Sequence, residues 1–435
     1  MTASTTPVAA TMPRPAMILR LVAGRGTFRI SVQVMSVALA TVWAADSFGH
    51  FTNALGLCAW LPLATATPEK AALKVLPRTR LLTPTLARMV LGLSAAPVLA
   101  LLVVLAPVAV LAPTSAATTY LAAATWAAGT GLLMTVAGLN RLRGRPSLDA
   151  GAFGASAVVV VVVTATTWQV EWAPQFHLLL LVGGIVLVTG CALAALPREW
   201  VRPGPRPGHR LLPRLARTTS LLGVSDIADA LGASVIYLVL AASGQVTDSG
   251  PLYLALIAST TICQFLFYLL RVAQPATSAR LRGTGGDAGR LRALGLLRGA
   301  GRFGGGFAAV FAVLATVPAT RELLLGAGAG LPVVLGVLVC VEIGLFLTVM
   351  FAGYLLENTD NKILVVTSSS ALVGLLAAGV FAVALVPVLG AVGGIVVLVL
   401  ALTVKAHTMR RMLLRTRPEL RARTAPAAPS PTTTP

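Results

Sequence analysis

Charge is scarce in this chain. Only 11% of its 435 residues are Asp, Glu, Lys or Arg, while 56% are hydrophobic; soluble domains carry about 25% charge. That imbalance excludes a soluble globular domain and predicts a protein that crosses a membrane many times. Cysteine is scarce too. Cys58, Cys191, Cys263 and Cys340 stand in separate apolar stretches with no C-x-x-C pair, which argues against both a disulfide framework and a thiolate metal site. Residues 1–15 have no apolar core of the kind a secretory signal peptide carries. There is no Walker A motif, so ATP hydrolysis is not expected, and no long loop that could carry the catalytic acids of a membrane glycosyltransferase. The chain reads as a non-enzyme with no cofactor beyond a possible coupling Na+ or H+.

Acid is scarcer still than base, 14 residues against 34, for a net charge of +20. The cations sit in short segments between apolar runs and form no basic stripe interleaved with aromatics, so no nucleic-acid partner is expected. Residues 1–13 and 424–435, rich in Thr, Ala and Pro, read as disordered tails. Thirty of the 34 cations are Arg, as GC-rich bacterial coding would give.

Apolar windows of bilayer length predict about twelve spans, at 27–48, 51–67, 86–112, 116–139, 151–168, 176–196, 218–244, 251–270, 303–325, 331–356, 363–388 and 390–405. Cations then alternate cleanly between the two sides. Arg14, Arg20 and Arg25, then Lys70 to Arg80, Arg141 to Arg145, Arg198 to Arg214, Arg271 to Arg302 and Arg410 to Arg423 fall on one side. The other side holds Asp46, Glu171, Asp248, Arg321 and Glu322. The positive-inside rule makes the first side cytoplasmic, with both termini there, in a multi-pass cell-membrane protein. The segment 357–362 belongs on that side but is not basic. The most basic connection, at 197–217, is broken by Pro and Gly and divides six spans from six. The expected divisions are an N-terminal segment (1–26), an N-lobe (27–197), a basic linker (198–217), a C-lobe (218–405) and a tail (406–435). Two such halves are a common build for a secondary transporter, with substrate bound near the midplane between them.

The span at 218–244 is the sharpest functional signal. It carries Asp226 and Asp229, three apart and so on one helical face. Counted from Arg217 at 1.5 Å per residue, Asp229 sits roughly 16 Å deep. A carboxylate there costs on the order of 3 kcal/mol and marks a functional site by default. Asp226 and Asp229 are candidate cation-coupling groups; the competing reading has Asp226 paired with Arg214 or Arg217. Glu342, midway along its span, either shares that site or neutralises an Arg of the other half. Arg25, Arg29, Arg88 and Arg271 stand at the cytoplasmic ends of their spans. They are candidates for a lip that meets a phosphate, or are plain positive-inside anchors. Gln264 and Tyr268 could offer hydrogen bonds to a sugar, or could be helix-packing glue.

Four stretches resemble the polysaccharide (Wzx-type) flippases of the multidrug/oligosaccharidyl-lipid/polysaccharide exporter superfamily. They are Asp46-Ser47-Phe48-Gly49-His50-Phe51; Gly250-Pro251-Leu252-Tyr253-Leu254-Ala255; Arg271 to Pro275 with Ser278, Gly286 and Asp287; and Gly390-Ala391-Val392-Gly393-Gly394. The resemblance implies an all-α polytopic membrane protein, its helices forming two six-helix lobes around a central V-shaped cavity. It also implies alternating-access movement of a lipid-linked oligosaccharide or polysaccharide precursor, with the bilayer and glycan-assembly enzymes as partners. The Arg lip would meet the phosphate and the span-7 acids would couple a cation. A drug or metabolite efflux antiporter of the same superfamily is the alternative; a non-transporting scaffold of a glycan-assembly complex is a third reading.

Overall fold

A computed structural model describes residues 15–75, 83–202, 211–281, 285–318, 330–359, 363–417 and 419. Among them every regular element is a helix, which is how a chain satisfies its backbone inside hydrocarbon. The first lobe contains α1 (Pro15–Val42), α2 (Ala45–Leu57), α3 (Leu61–Val75), α4 (Thr83–Leu111), α5 (Ala116–Leu142), α6 (Pro146–Val170) and α7 (Pro174–Ala194), with a short α8 (Arg198–Val201) after it. The second contains α9 (Leu211–Ala242), a 3₁₀ turn (Val246–Asp248), α10 (Ser249–Arg280), α11 (Gly285–Thr316), α12 (Gly330–Glu357) and α13 (Leu364–Thr416). Eight stretches among the described residues are long and apolar enough to cross a bilayer. The lobe exteriors present Leu99, Val103, Val110, Val310 and Val380 outward, as a lipid-facing surface requires.

The elements depart from the expected spans in four places. The first helix starts at Pro15 and ends at Val42, so Asp46 belongs to the first turn of α2 and does not end span 1. Arg20 and Arg25 are helical because Arg is a good helix former and Pro at the first position is preset for a helix. The expected span at 51–67 is two helices separated at 58–60, with Pro62 in the first turn of α3, where its missing N–H goes unmissed. The supposed loop before span 9 is nearly all helix, since α10 runs to Arg280 and α11 begins at Gly285. Residues 319–325 of that span, with Arg321 and Glu322, lie outside the described residues. The basic linker also shrinks, because α9 begins at Leu211.

The last two spans form one element, α13, interrupted at Gly390 (φ 54°, ψ −131°). That backbone conformation is open essentially only to glycine. Asp248 Oδ2 occupies the space a Cβ would fill and accepts a hydrogen bond from the Ala391 N–H at 3.3 Å. The carboxylate thus caps the helix that restarts after the break.

Within the first lobe α1 packs on α6, and α5 is central, touching α3, α4 and α7; Phe28, Met35, Phe51 and Phe153 are buried at its core. In the second, α13 packs on α9, α11 and α12. The lobes meet through α2–α3 against α9 and through α1 and α2 against α10. We call the end where α1 begins and α13 finishes the termini end, and the opposite one the far end. At the far end the lobes are tightly joined. The fully buried Asn53 of α2 donates to the Tyr237 carbonyl (2.8 Å) and to Ser249 Oγ (3.0 Å), and accepts from the Tyr120 hydroxyl (2.7 Å). Ser234 Oγ donates to the Gly56 carbonyl at 3.0 Å, and Gly49 lies so near the backbone of Val246 that a Cβ would come within 2.8 Å of its carbonyl oxygen.

Candidate functional site: the interlobe cavity

A cavity of about 850 Å³ separates the lobes in the half of the molecule toward the termini end. Its wall includes Arg25 and Arg29 of α1, Asp226 and Asp229 of α9, Glu342 of α12 and Lys405 of α13, and it reaches Glu357 and Met409 near the mouth. With the far end sealed around Asn53, the space is a V open toward the termini end. Most of the rest of the wall is apolar, with Phe153, Leu256, Phe346 and Leu402 among its residues.

The charges on this wall are mostly arranged in pairs. Lys405 Nζ lies 2.7 and 2.6 Å from the two carboxylate oxygens of Asp229. Lys70 of α3 binds the Asp226 carboxylate across the lobe boundary, and its ammonium stands 5.1 Å over the Phe267 ring of α10. Arg25 forks onto Asp149 of α6, Nε to Oδ1 at 3.2 Å and Nη2 to Oδ2 at 3.1 Å. Its Cζ lies 4.7 Å from the ring centroids of both Phe153 and Tyr268, so the cation is held between an aromatic of each lobe. Glu69 and Arg141 complete the cluster, Arg141 donating to Glu69 at 3.0 Å.

Two wall charges differ. Arg29 has no carboxylate within ion-pair distance among the described residues, and Glu342, 5% exposed, has no cation. The Glu342 carboxylate accepts a hydrogen bond from Ser259 Oγ. The competing reading, neutralisation of an Arg of the other half, is not met among the described residues. Tyr268 OH, also on the wall, has no hydrogen-bond partner among the described residues.

Five of the seven candidate residues therefore reach the cavity: Arg25, Arg29, Asp226, Asp229 and Glu342. Arg88 does not. Its guanidinium lies against the carbonyls of Pro84 and Arg202 on the α4–α8 side. That removes it from the lip, because its helix face turns away from the other lobe. The side chains of Arg271 and Gln264 lie outside the described residues. Asp226 pairs with Lys70; Arg217 is exposed, and the Arg214 side chain is outside the described residues. The residues that sequence reasoning missed are Lys405, Lys70, Glu69 and Asp149. A usable signal existed for Lys405: it is one of only four lysines, and it interrupts an apolar run.

No protein-family model matches the chain, and no curated protein matches it. Solved structures do. The MATE multidrug transporter DinF-BH is 14% identical over 96% of this chain and 99% of its own, with a TM-score of 0.56. A MOP superfamily transporter from Pyrococcus furiosus, described as having a binding pocket of reversed polarity, is 14% identical over 93% and 96%, with a TM-score of 0.51. A mutant of the Vibrio cholerae MATE transporter VcmN is 15% identical over 93% and 97%, with a TM-score of 0.50. At such identities the likeness is one of architecture, and it spans nearly the whole chain: the protein has the two-lobed, all-helical fold of the MATE transporters of the MOP superfamily.

Proposed function

We propose that the protein is an alternating-access membrane transporter and that its substrate is a lipid-linked saccharide precursor, flipped across the cytoplasmic membrane. The observation that carries this reading is Arg29, a guanidinium on the wall of a largely apolar cavity with no carboxylate in reach among the described residues. A charge kept half-buried without a partner is costly unless a ligand supplies one, and the guanidinium fork suits phosphate. Arg25, already committed to Asp149, backs that wall and does not add a free anion site. The Asp229–Lys405 pair is the coupling element: a proton or Na+ taken up by Asp229 releases Lys405, and the pair then favours a different packing of α9 on α13. The termini end, rich in Arg, faces the cytoplasm, where glycan-assembly enzymes would deliver the substrate.

Efflux of a cationic drug or metabolite is the second reading, favoured by Glu342, a buried acid without a cation. Proteoliposomes separate the two. Translocation of a fluorescent polyprenyl-pyrophosphate-linked saccharide by the wild type, lost in Arg29→Ala and in Asp229→Asn, is the expected result. Efflux of a cationic dye without any saccharide-lipid movement would overturn the flippase reading. No transport of either would leave the scaffold.

A further inference from the structure

The cavity is near charge balance: Arg25, Arg29 and Lys405 on its wall face Asp226, Asp229, Glu342 and Glu357. Subtracting the ion pairs leaves one charge of each sign inside the cavity, with Glu357 at its mouth. Arg25 is held by Asp149, Asp229 by Lys405 and Asp226 by Lys70, and Glu357, at the mouth, is itself engaged. Arg29 and Glu342 remain, on opposite lobes. A purely anionic substrate would answer Arg29 and meet Glu342 as a repulsive, desolvated carboxylate; a purely cationic one would do the reverse.

We infer that the substrate's head group is zwitterionic, with a phosphate-type anion toward the mouth at Arg29 and an amine deeper in the cavity at Glu342. The inference rests on the reading of this cavity as the substrate site. Depth along the helices sets the spacing. Gln33 of α1 hydrogen-bonds Thr261 of α10, and Ser259, two residues along α10, bonds Glu342. Arg29 is four residues nearer the termini end than Gln33, about 6 Å, while Ser259 is about 3 Å toward the far end from Thr261. The helix position of Arg29 and that of Ser259, which holds the Glu342 carboxylate, therefore differ in depth by about 9 Å. That spacing suits an amine one or two sugars beyond a phosphate, as on a lipid-linked saccharide bearing an amino sugar, better than the short phosphate–amine distance of a phospholipid head.

The test is equilibrium binding to the full-length protein in nanodiscs, using four hexyl probes: hexyl 6-aminohexyl phosphate, hexylphosphocholine, hexyl phosphate and hexyltrimethylammonium. The long-spaced zwitterion is expected to bind about tenfold or more tightly than the other three. Glu342→Gln, which keeps an acceptor for Ser259, removes its advantage over hexyl phosphate; Arg29→Gln removes its advantage over the ammonium. Size-exclusion profiles and melting temperatures confirm that both variants are folded. Equal binding of hexyl phosphate, or of hexyltrimethylammonium, overturns the proposal, and so does hexylphosphocholine binding most tightly. Zwitterion selectivity without saccharide-lipid translocation would overturn the flippase reading alone. Translocation with selectivity for the bare anion would overturn only this inference.

Discussion

Asp229 and Lys405 form an ion pair across two helices of one lobe, and their exposures differ: the Lys405 side chain is 5% exposed and that of Asp229 26%. Removing the lysine strands a carboxylate on an apolar wall. Lys405→Met is therefore expected to destabilise the fold by about 3 kcal/mol, the low end of the range for breaking a buried pair, since Asp229 keeps some access to water. Thermal unfolding in detergent measures this, and Lys405→Met combined with Asp229→Leu should recover most of the loss; a double variant as unstable as the single one would show that the lysine matters for packing and not for charge. Glu342 and Asp229 were legible as acids inside apolar runs, because a charge there needs a reason. Their surroundings were not. Lys70 lies 156 residues before Asp226 and Lys405 176 residues after Asp229, and no local pattern links residues so far apart. Arg25 and Arg88 look alike in sequence, each at the expected cytoplasmic end of its span, yet the rotation of α1 and α4 in the lobe sends Arg25 to the cavity wall and Arg88 away from it.

At the level of elements, α13 depends on a single residue. Gly390 holds a conformation that costs other residues on the order of 1–3 kcal/mol, and a Cβ there would also displace the Asp248 carboxylate from the Ala391 N–H. Gly390→Ala is expected to lower the melting temperature by several degrees through both effects. Asp248→Ala, which frees the space but loses the cap, should cost less, about 1 kcal/mol; comparing the two melting curves checks the ranking. The position of this break was legible, as the boundary between the spans at 363–388 and 390–405. The starts of α1 and α11 were not. Hydropathy reads Arg20, Arg25, Arg290 and Arg298 as loop, whereas helices here continue into the polar zone with their arginines satisfied by partners such as Asp149 and Asp287.

Across the whole molecule, the proposed alternating access makes the closed far end and the open termini end alternatives, and Asn53 ties the lobes on the closed side. Two of its three hydrogen bonds cross between lobes. At about 1 kcal/mol each, their loss in Asn53→Ala should shift the balance toward far-end opening by roughly tenfold or more. In a variant that retains only Cys58, which is buried beside this contact, the labelling rate with an impermeant maleimide added at the far side should rise correspondingly. An unchanged rate would mean that the packing of Gly49 and Gly56, and not the hydrogen bonds, holds the lobes together. The two-lobe plan was legible in the six-and-six division of spans, while the direction in which the V opens was not, since both directions use the same helices and hydropathy.

The cavity's size has a consequence of its own. At ~30 Å³ per water molecule, about 850 Å³ holds close to thirty waters when no substrate is present. In the proposed alternating-access cycle, closing the termini end on an empty cavity must expel that water or carry it across. The unloaded return step is thereby coupled to water activity: an osmolyte too large to enter favours the collapsed, dehydrated intermediate and drains the hydrated one, whatever the substrate proves to be.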